Sequence, residues 1–352
     1  MMKTNTSSLA YLALVVSLLA IATSPPAFGQ TTATTTPVGL MKVTIPAASS
    51  TTTPKQTTLS VPLYGTADFS GLVASVDGIN QFTLAGATWT ANQFASPTAP
   101  RLARIMASVT AAHVGRFFLI SGNTTNGQLQ VVLPPGVTTV ASEVSVGDTC
   151  EVVPANTLGA LFGTASTLFA TGATSATADN LQLFNGTTWD TYFHNGSSWV
   201  KVGDATAASQ NSEIVYPDEG IFVLRRKTTA LTLTLSGTVP STAEQSGLAE
   251  AVGPTLGTTF LANRFPVGTT LNGLALQNTL NWTAASTVTN ADRVLIWNMH
   301  EWNTYYFNGS QWRQSGQTVD KGSTAIPINA AVQVIRRSTV RSVLTQPRPY
   351  TL

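Results

Sequence analysis

The sequence predicts an all-β protein of two or three small antiparallel β-sandwich or barrel units, the last two being an internal repeat. Three observations predict this fold class. Short runs of Val, Thr, Leu and Ile are separated by Gly, Asn and Pro turn signals at intervals of about 8 to 12 residues. Long segments with helical hydrophobic periodicity are absent. A set of aromatic, Asn and Gly residues recurs at a fixed spacing.

Individual strands follow from these runs. Segments 72–76 and 81–84 flank an Asp-Gly turn, and segments 116–120 and 128–133 flank a turn rich in Gly and Asn. Segment 231–235 alternates Leu with Thr, which predicts one buried face. The only helix expected is a short one over 242–252, where Ser241 and Glu244 have the spacing of a capping box.

The repeat supplies the domain boundaries. Eight residues recur 113 positions later, and Asp179, Asn185, Trp189, Tyr192, Asn195, Gly196, Trp199 and Gly203 return as Asp292, Asn298, Trp302, Tyr305, Asn308, Gly309, Trp312 and Gly316. An Arg-Arg pair, Arg225-Arg226, returns as Arg336-Arg337. We therefore expect a signal peptide over 1–29, a flexible leader over 30–37, β-units over 38–154, 155–240 and 258–352, and a linker over 241–257.

The repeated Asn-Gly pairs predict β-hairpins. With Asn195-Gly196 and Asn308-Gly309 as two-residue turns, Tyr192 faces Trp199 and Tyr305 faces Trp312, while Trp189 and Trp302 point to the opposite face. One interpretation places these aromatic residues in a core and a stabilising ladder. A second makes Tyr192, Trp199, Tyr305 and Trp312 an exposed platform that binds carbohydrate. A third uses them in a protein contact.

The N-terminus has the pattern of a secretory signal. Lys3 precedes an uncharged apolar run over 9–22, a Ser-Pro-Pro break follows, and small residues at Ala27 and Gly29 predict cleavage before Gln30. We therefore expect a secreted or cell-surface protein, with the periplasm as the other location. The remaining chain has no apolar run long enough for a membrane-spanning helix.

Charge excludes one class of partner. The formal net charge is +2, and cleavage removes Lys3 to leave 17 basic against 16 acidic side chains. Nucleic-acid binding needs a dense basic face, so we expect no nucleic-acid partner. Only 10% of the residues are charged, and such a surface opposes contact between copies weakly. The composition therefore favours association with itself or with other envelope proteins, and the hairpin aromatic residues make polysaccharide a further candidate partner.

Reactive groups are few. Cys150 lies in a strand-like run and is interpreted as a buried small hydrophobe, with an intermolecular bridge or reactive thiol as the alternative. His113, His194 and His300 lack metal-ligand spacing, and no nucleophile elbow or phosphate loop is present. We expect no catalytic residues, no cofactor and no metal site. Glycosidase carboxylates need not be close in sequence, and the adjacent pair Asp218-Glu219 is interpreted as a turn.

Several segments together resemble a known family. They are Val-Gly-Leu-Met-Lys-Val-Thr-Ile-Pro at 38–46, Trp-Thr-Ala-Asn-Gln-Phe at 89–94, Gly-Asp-Thr at 147–149 before a strand ending at Pro154, and the two Tyr-x-x-Asn-Gly-Ser-x-Trp hairpins. The chain resembles a family of exported, often multi-copy proteins of Verrucomicrobia-type bacteria. The resemblance implies export and a β-rich fold, and it implies no reaction and no site residues.

Together these observations favour an exported, non-catalytic structural or interaction protein of the cell envelope or extracellular space that associates with itself. A carbohydrate-binding protein using the hairpin aromatic residues is the alternative. A glycoside hydrolase is the lesser alternative, and it requires a cleft that gathers carboxylates from different units.

Overall fold

The structure is a computed structural model that describes residues 36–165 and 168–352. The predicted signal peptide and nearly all of the predicted leader lie outside the described residues. Within the described residues the chain is almost entirely antiparallel sheet, which confirms the all-β class. The antiparallel sheets include one closed barrel, so the prediction of small sandwich or barrel units is confirmed as well.

Short strands account for most of the regular structure of the described residues. In chain order, the first eleven are β1 (Val38–Ile45), β2 (Lys55–Leu59), β3 (Phe69–Asp77), β4 (Gln81–Leu84), β5 (Arg101–Ala107), β6 (Phe117–Asn123), β7 (Gln128–Val132), β8 (Thr149–Pro154), β9 (Asn180–Phe184), β10 (Trp189–His194) and β11 (Trp199–Lys201). The others are β12 (Ile221–Arg225), β13 (Leu231–Thr238), β14 (Glu244–Leu248), β15 (Gly257–Ala262), β16 (Thr269–Thr270), β17 (Arg293–Trp297), β18 (Trp302–Phe307), β19 (Trp312–Gln314), β20 (Ala325–Ile326), β21 (Ala331–Arg336) and β22 (Ser342–Gln346). The short helices are α1 (Leu158–Phe162) and α2 (Leu271–Leu274), and 3₁₀ turns span Ala111–His113, Val140–Ser142 and Leu276–Asn278.

Six strands close into the barrel, in the order β3-β4-β7-β6-β5-β8. The predicted strands flanking the Asp-Gly turn are parts of β3 and β4, and Gly78 adopts the positive φ of +69° that the turn requires. Inward side chains such as Phe82, Phe118 and Leu129 fill the barrel. Cys150 is among them at 0% exposure, which confirms its interpretation as a core residue.

A first sandwich combines a five-stranded sheet with a two-stranded ribbon. Sheet 1 has the order β11-β10-β9-β12-β2, and ribbon 1 pairs β1 with β13. Leu231, Leu233 and Leu235 are buried while the intervening residues of β13 are exposed, as the alternation predicts. They pack with Met41 and Val43 of β1 against sheet 1, and we call this core 1.

The strand pairing corrects the first predicted boundary. β1 pairs with β13 and β2 pairs with β12, so segment 38–59 belongs to the first sandwich and not to a separate unit over 38–154. The barrel spans only 69–154, and it lies in the chain between two strands of sheet 1. Sequence proximity favoured a continuous first unit, whereas burial of the apolar face of β1 requires the distant strand β13.

A second sandwich matches the first strand for strand. Sheet 2 has the order β15-β21-β17-β18-β19, ribbon 2 pairs β14 with β22, and a small separate sheet pairs β16 with β20. β15, β21, β17, β18 and β19 occupy the places of β2, β12, β9, β10 and β11. The apolar interior of this sandwich, which includes Tyr305, Trp312, Val332 and Val334, is core 2.

The predictions of a linker over 241–257 and of a helix over 242–252 are both wrong, because this segment contains strand β14. Residues of 242–252 form an extended strand paired with β22, and not a helix that begins at Ser241. The segment 241–257 therefore contributes a strand to the second sandwich. Pairing with β22 and burial of Glu244, Gln245 and Ser246 outweigh the capping-box signal, since tertiary context overrides local propensity.

The hairpin register differs from the prediction by two residues. Trp199 pairs with His194, and Trp312 pairs with Phe307. The Asn195 side chain accepts hydrogen bonds from the backbone N–H groups of Ser197 and Ser198 at 2.9 and 3.0 Å. The connection between β10 and β11 therefore has four residues, 195–198, instead of the predicted two. Because side chains alternate with period two, a shift of two residues keeps each aromatic residue on its predicted face.

Sheets 1 and 2 pack against each other through the faces opposite to cores 1 and 2. Trp189 and Trp302 both lie in this contact, as the predicted alternation requires. The Trp189 ring lies 4.9 Å from that of Phe260, and the Phe222 ring lies 5.8 Å from that of Trp302. This aromatic contact fixes the two sandwiches relative to each other.

The Asp and Arg residues matched in the two segments form buried ion pairs. Arg225 donates to Asp179 at 2.6 Å, and Arg336 lies 3.9 Å from Asp292. The same carboxylates accept the backbone N–H of the second arginine, Arg226 or Arg337. These contacts join β12 and β21 to the start of β9 and β17.

Candidate functional site

The four aromatic residues predicted as a carbohydrate platform are buried. Relative exposure is 1% for Tyr192, 0% for Trp199, 5% for Tyr305 and 0% for Trp312. The first two belong to core 1 and the last two to core 2. A ring packed in a core offers no face to a sugar, so the platform is wrong and the core interpretation of these residues is the right one.

A cleft of about 670 Å³ lies where the barrel and the two sandwiches meet. The barrel contributes Arg116 to Leu119 and Val132 to Pro135. The first sandwich contributes β9, β10 and the loop before β12, and the second contributes β14, β15 and Arg341. Apolar side chains form most of the lining, and charged side chains are grouped at two places. Ligand sites are typically concave and of this size and composition.

One wall of the cleft is acidic. Asp190, Glu213, Asp218 and Glu219 line it, and Glu250 lies at its exposed edge. Asp190 is paired with Lys201 at 2.8 Å. Asp218 accepts the backbone N–H of Gly247 at 3.2 Å. We call Glu213, Asp218 and Glu219 the acidic wall.

Glu219 is a strongly perturbed member of the acidic wall. Burial raises the pKa of Glu219 to about 8, and the charges of Asp218, Glu213 and Asp190 also raise it. The backbone N–H of Tyr216 donates to its carboxylate at 3.3 Å and acts in the opposite direction. Burial likewise raises the pKa of Asp218, against the nearby charge of Arg264. At neutral pH the carboxyl group of Glu219 therefore carries a proton.

Two tyrosines lie beside the acidic wall. Burial raises the pKa of Tyr192, and the adjacent charge of Glu213 raises it further. Burial also raises the pKa of Tyr216, followed by the charge of Glu219. The Tyr216 ring stacks beside Phe117 of the barrel with centroids 6.3 Å apart. These contacts join the barrel to the acidic wall across the cleft.

The cleft also has a basic rim, formed by Arg116 and Arg341. Arg116 lies 2.6 Å from Glu143 and Arg341 lies 3.8 Å from the same carboxylate. Burial lowers the pKa of Arg116, and Arg341 lowers it further against the attraction of Glu143. Both arginines therefore have a carboxylate partner, whereas neither Glu213 nor Glu219 has a basic partner among the described residues.

A buried charge cluster joins the barrel to the second sandwich beside the cleft. Glu244 of β14 accepts hydrogen bonds from Arg104 of the barrel and from Arg264, which follows β15. The Tyr64 hydroxyl donates to Glu244 at 2.6 Å and accepts from Arg264 at 2.7 Å. The Arg104 guanidinium lies over the Tyr64 ring at 4.0 Å. We call these four residues the charge cluster.

Gln245, next to the charge cluster, has an unused acceptor. Its side-chain Nε2 donates to the carbonyl of Ala112 at 2.6 Å, whereas Oε1 is buried and has no hydrogen-bond partner among the described residues. Gln245 is 2% exposed and lines the cleft. A buried acceptor without a partner is uncommon and requires an explanation.

In the part of the chain that the structure describes, the histidines and the other titratable groups form no metal site. Across 36–165 and 168–352, no three His, Cys, Asp or Glu side chains lie together in an arrangement that could hold a metal ion. His113 lies 3.6 Å from Asp148, and His194 Nε2 lies 2.9 Å from the carbonyl of Thr164. In the same part of the chain, no helix combines the length and apolarity needed to cross a membrane.

The sequence did not identify the cleft. Its acids come from β10 and from the loop at 213–219, in which the predicted Asp218-Glu219 turn occurs. The one signal in the sequence was the density of acids in this segment, since Glu213, Asp218 and Glu219 are 3 of the 16 acidic residues in the chain. The opposing walls come from residues far away in sequence.

Compared with protein-family models, with curated proteins and with solved structures, the chain has no significant match.

Proposed function

We propose that this chain is an exported, non-catalytic interaction protein that binds its ligand in the cleft between the barrel and the two sandwiches. The observation that carries the proposal is the cleft itself, which is about 670 Å³ in volume and mostly apolar, with a few grouped polar side chains. Such a combination is the usual character of a binding site.

The rigid walls of the cleft favour a ligand-binding role over a purely structural role. The charge cluster ties Tyr64, Arg104 and Arg264 to Glu244, and the Trp189–Phe260 contact ties sheet 1 to sheet 2. A preformed cavity loses little conformational entropy when a ligand enters. Export is supported by the secretory pattern of residues 1–29 and by the resemblance to an exported bacterial family.

The test is a ligand screen with a variant that fills the cleft. Val132 lines the cleft from β7 and is 49% exposed, so Val132→Trp places an indole in the cavity with little strain on the barrel core. Val109→Trp is the matched control because Val109 is 77% exposed on the same barrel and does not line the cleft. The chain from Gln30 is screened by thermal shift against amines, saccharides and peptides.

We expect at least one ligand to stabilise the wild type and the Val109→Trp variant but not the Val132→Trp variant. Equal stabilisation of all three proteins by every hit would place binding elsewhere and overturn the proposal. A saccharide hit with this pattern would support the carbohydrate alternative, with the cleft as its site in place of the hairpins.

Self-association is a second candidate, favoured by ribbon 1. β1 pairs only with β13 among the described residues, so its other edge is unpaired. Val38 and Leu40 on its outer face are 75% and 67% exposed, and Lys42 is the only charge on the strand. An exposed edge strand with apolar residues pairs readily with another strand.

Light scattering over a range of protein concentrations tests self-association through β1. Leu40→Lys is expected to reduce the amount of large species. A wild-type protein that is a strict monomer at every concentration would contradict self-association.

A further inference from the structure

We propose that the cleft takes a ligand bearing an ammonium or guanidinium group next to an apolar body, with the cationic group against the acidic wall. This inference rests on the proposed function, since it names the chemical class of ligand for the same cleft. Four features of the walls support it.

The first feature is that two carboxyl groups of the acidic wall have no basic partner. Among the described residues, neither Glu213 nor Glu219 has a Lys or Arg side chain within ion-pair distance. Asp190 is neutralised by Lys201, and both arginines of the basic rim have Glu143 as partner. The wall therefore has room for one further positive charge, and the protein does not supply it.

The second feature is the electrostatic state of the acidic wall. Desolvation and mutual repulsion among the carboxylates keep a proton on Glu219. A bound cation would relieve the same repulsion, and it would favour the ionised carboxylate. Cation binding and proton release are therefore coupled at this wall, which a neutral ligand would not cause.

The third feature is the excess of hydrogen-bond acceptors. The carboxyl groups of Glu219 and Asp218 each accept a backbone N–H, at 3.3 and 3.2 Å, and Tyr192 hydrogen-bonds to Glu213, which leaves further lone pairs on these oxygens. Oε1 of Gln245 lies inside the adjoining wall without a partner among the described residues. Ammonium and guanidinium groups are donors only, so they complement a surface of this kind. Carboxylate and phosphate ligands carry acceptors and would add repulsion.

The fourth feature is the apolar lining beside the wall. Ile214 and Tyr216 belong to the same segment as the carboxylates, Phe117 stacks beside Tyr216, and Phe260 and Leu248 continue the lining. Aromatic faces attract cations, and an apolar ligand body gains free energy by leaving water. A small inorganic cation would leave this lining without a partner.

The test compares three ligands that differ only in the end group: 4-phenylbutylamine, 4-phenylbutanol and 4-phenylbutanoate. Binding to the chain from Gln30 is measured by calorimetry at pH 7 in two buffers with different ionisation enthalpies. We expect the amine to bind at least tenfold more tightly than the alcohol, and the acid to bind least. We also expect amine binding to release protons, which the difference between buffers reports.

Variants of the acidic wall test whether the cationic group of the amine binds there. Glu219→Gln is expected to abolish proton release, and Glu213→Gln is expected to weaken amine binding about tenfold, whereas Glu301→Gln at an exposed turn changes neither. Thermal unfolding checks that each variant is folded. The inference is overturned if the amine binds no better than the alcohol, if no probe binds, or if Glu213→Gln has no effect. A saccharide hit that Val132→Trp blocks, together with failure of the amine, would overturn the inference and leave the proposed function standing.

Discussion

The hydroxyl group of Tyr64 donates a 2.6 Å hydrogen bond to Oε2 of Glu244. Tyr64 lies between the end of β2 and the start of the barrel, and Glu244 begins the first strand of the second sandwich. The bond therefore joins the connection that leads into the barrel to a strand 180 residues further along the chain. Burial raises the pKa of Tyr64, so its hydroxyl stays protonated and remains a donor over the ordinary pH range.

Glu244→Gln is expected to destabilise the fold strongly. Glu244 is 0% exposed and faces Arg104 and Arg264, which are each 1% exposed. Removing its charge takes away the carboxylate that the two buried guanidinium groups share, at a cost of about 3–5 kcal/mol. Urea unfolding monitored by Trp fluorescence measures the free energy of unfolding.

Glu250→Gln is the control for Glu244→Gln, because Glu250 is exposed and six residues away in sequence. Its free energy of unfolding is expected to stay within about 0.5 kcal/mol of the wild type. Comparable losses of unfolding free energy in the two variants would show that the buried charge cluster does not stabilise the contact between the barrel and the second sandwich.

The raised pKa of Glu219 predicts a specific pH dependence of stability. The pKa is about 8 in the folded chain against an ordinary value of 4.5, so the protonated form is favoured by folding. Its contribution to stability is complete below pH 4.5 and is lost as the pH rises through about 8. After allowance for water at the cleft mouth, the loss is about 1–3 kcal/mol.

Glu219→Gln isolates this contribution, because Gln resembles the protonated carboxyl group at every pH. The variant and the wild type are expected to have the same free energy of unfolding at pH 4, and the variant is expected to be more stable at pH 9. Guanidinium unfolding at both pH values measures the difference. A pH-independent difference would contradict the raised pKa, and Glu301→Gln on the surface provides the reference.

Cys150 is expected to be unreactive in the folded protein. Its side chain is fully buried in the barrel, and burial raises the pKa of its thiol, so the reactive thiolate is scarce. Ellman's reagent should detect no thiol under native conditions and one thiol per chain in guanidinium, since the chain has one cysteine. Rapid labelling of the native protein would mean that β8 is not enclosed by the barrel.

Local patterns predicted strands well but not their distant partners. The alternation of Leu231 to Leu235 and the Asp77-Gly78 turn are local, and the structure has both as expected. The partner of β1 is almost 200 residues away, and no local pattern indicates it. The helix expected from Ser241 and Glu244 is wrong for the same reason, because the pairing of β14 with β22 outweighs local propensity.

The sequence predicted less of the candidate site than of the fold. Tyr192 and Trp199 were recognised as a recurring pair, but their periodicity fits a core as well as a surface. The acidic wall lines a cleft only because barrel strand β6 and strands β14 and β15 supply the rest of the lining, and the sequence does not indicate that these strands come together. Its unusual property, a proton held by Glu219 at neutral pH, arises from desolvation, which sequence spacing does not encode.

Trp199 and Trp312 occupy matching places and give the last prediction. Both are 0% exposed, but Nε1 of Trp199 donates to the carbonyl of Gly163 at 2.9 Å, whereas Nε1 of Trp312 has no partner among the described residues. Trp→Phe removes similar apolar area at the two positions, and only at Trp199 does it also break a hydrogen bond and leave a carbonyl unpaired. We expect Trp199→Phe to be more destabilising than Trp312→Phe by about 1–2 kcal/mol in urea unfolding. Equal losses would mean that the indole hydrogen bond adds nothing to core 1, and a larger loss for Trp312→Phe would mean that packing in core 2 depends more on the full indole ring.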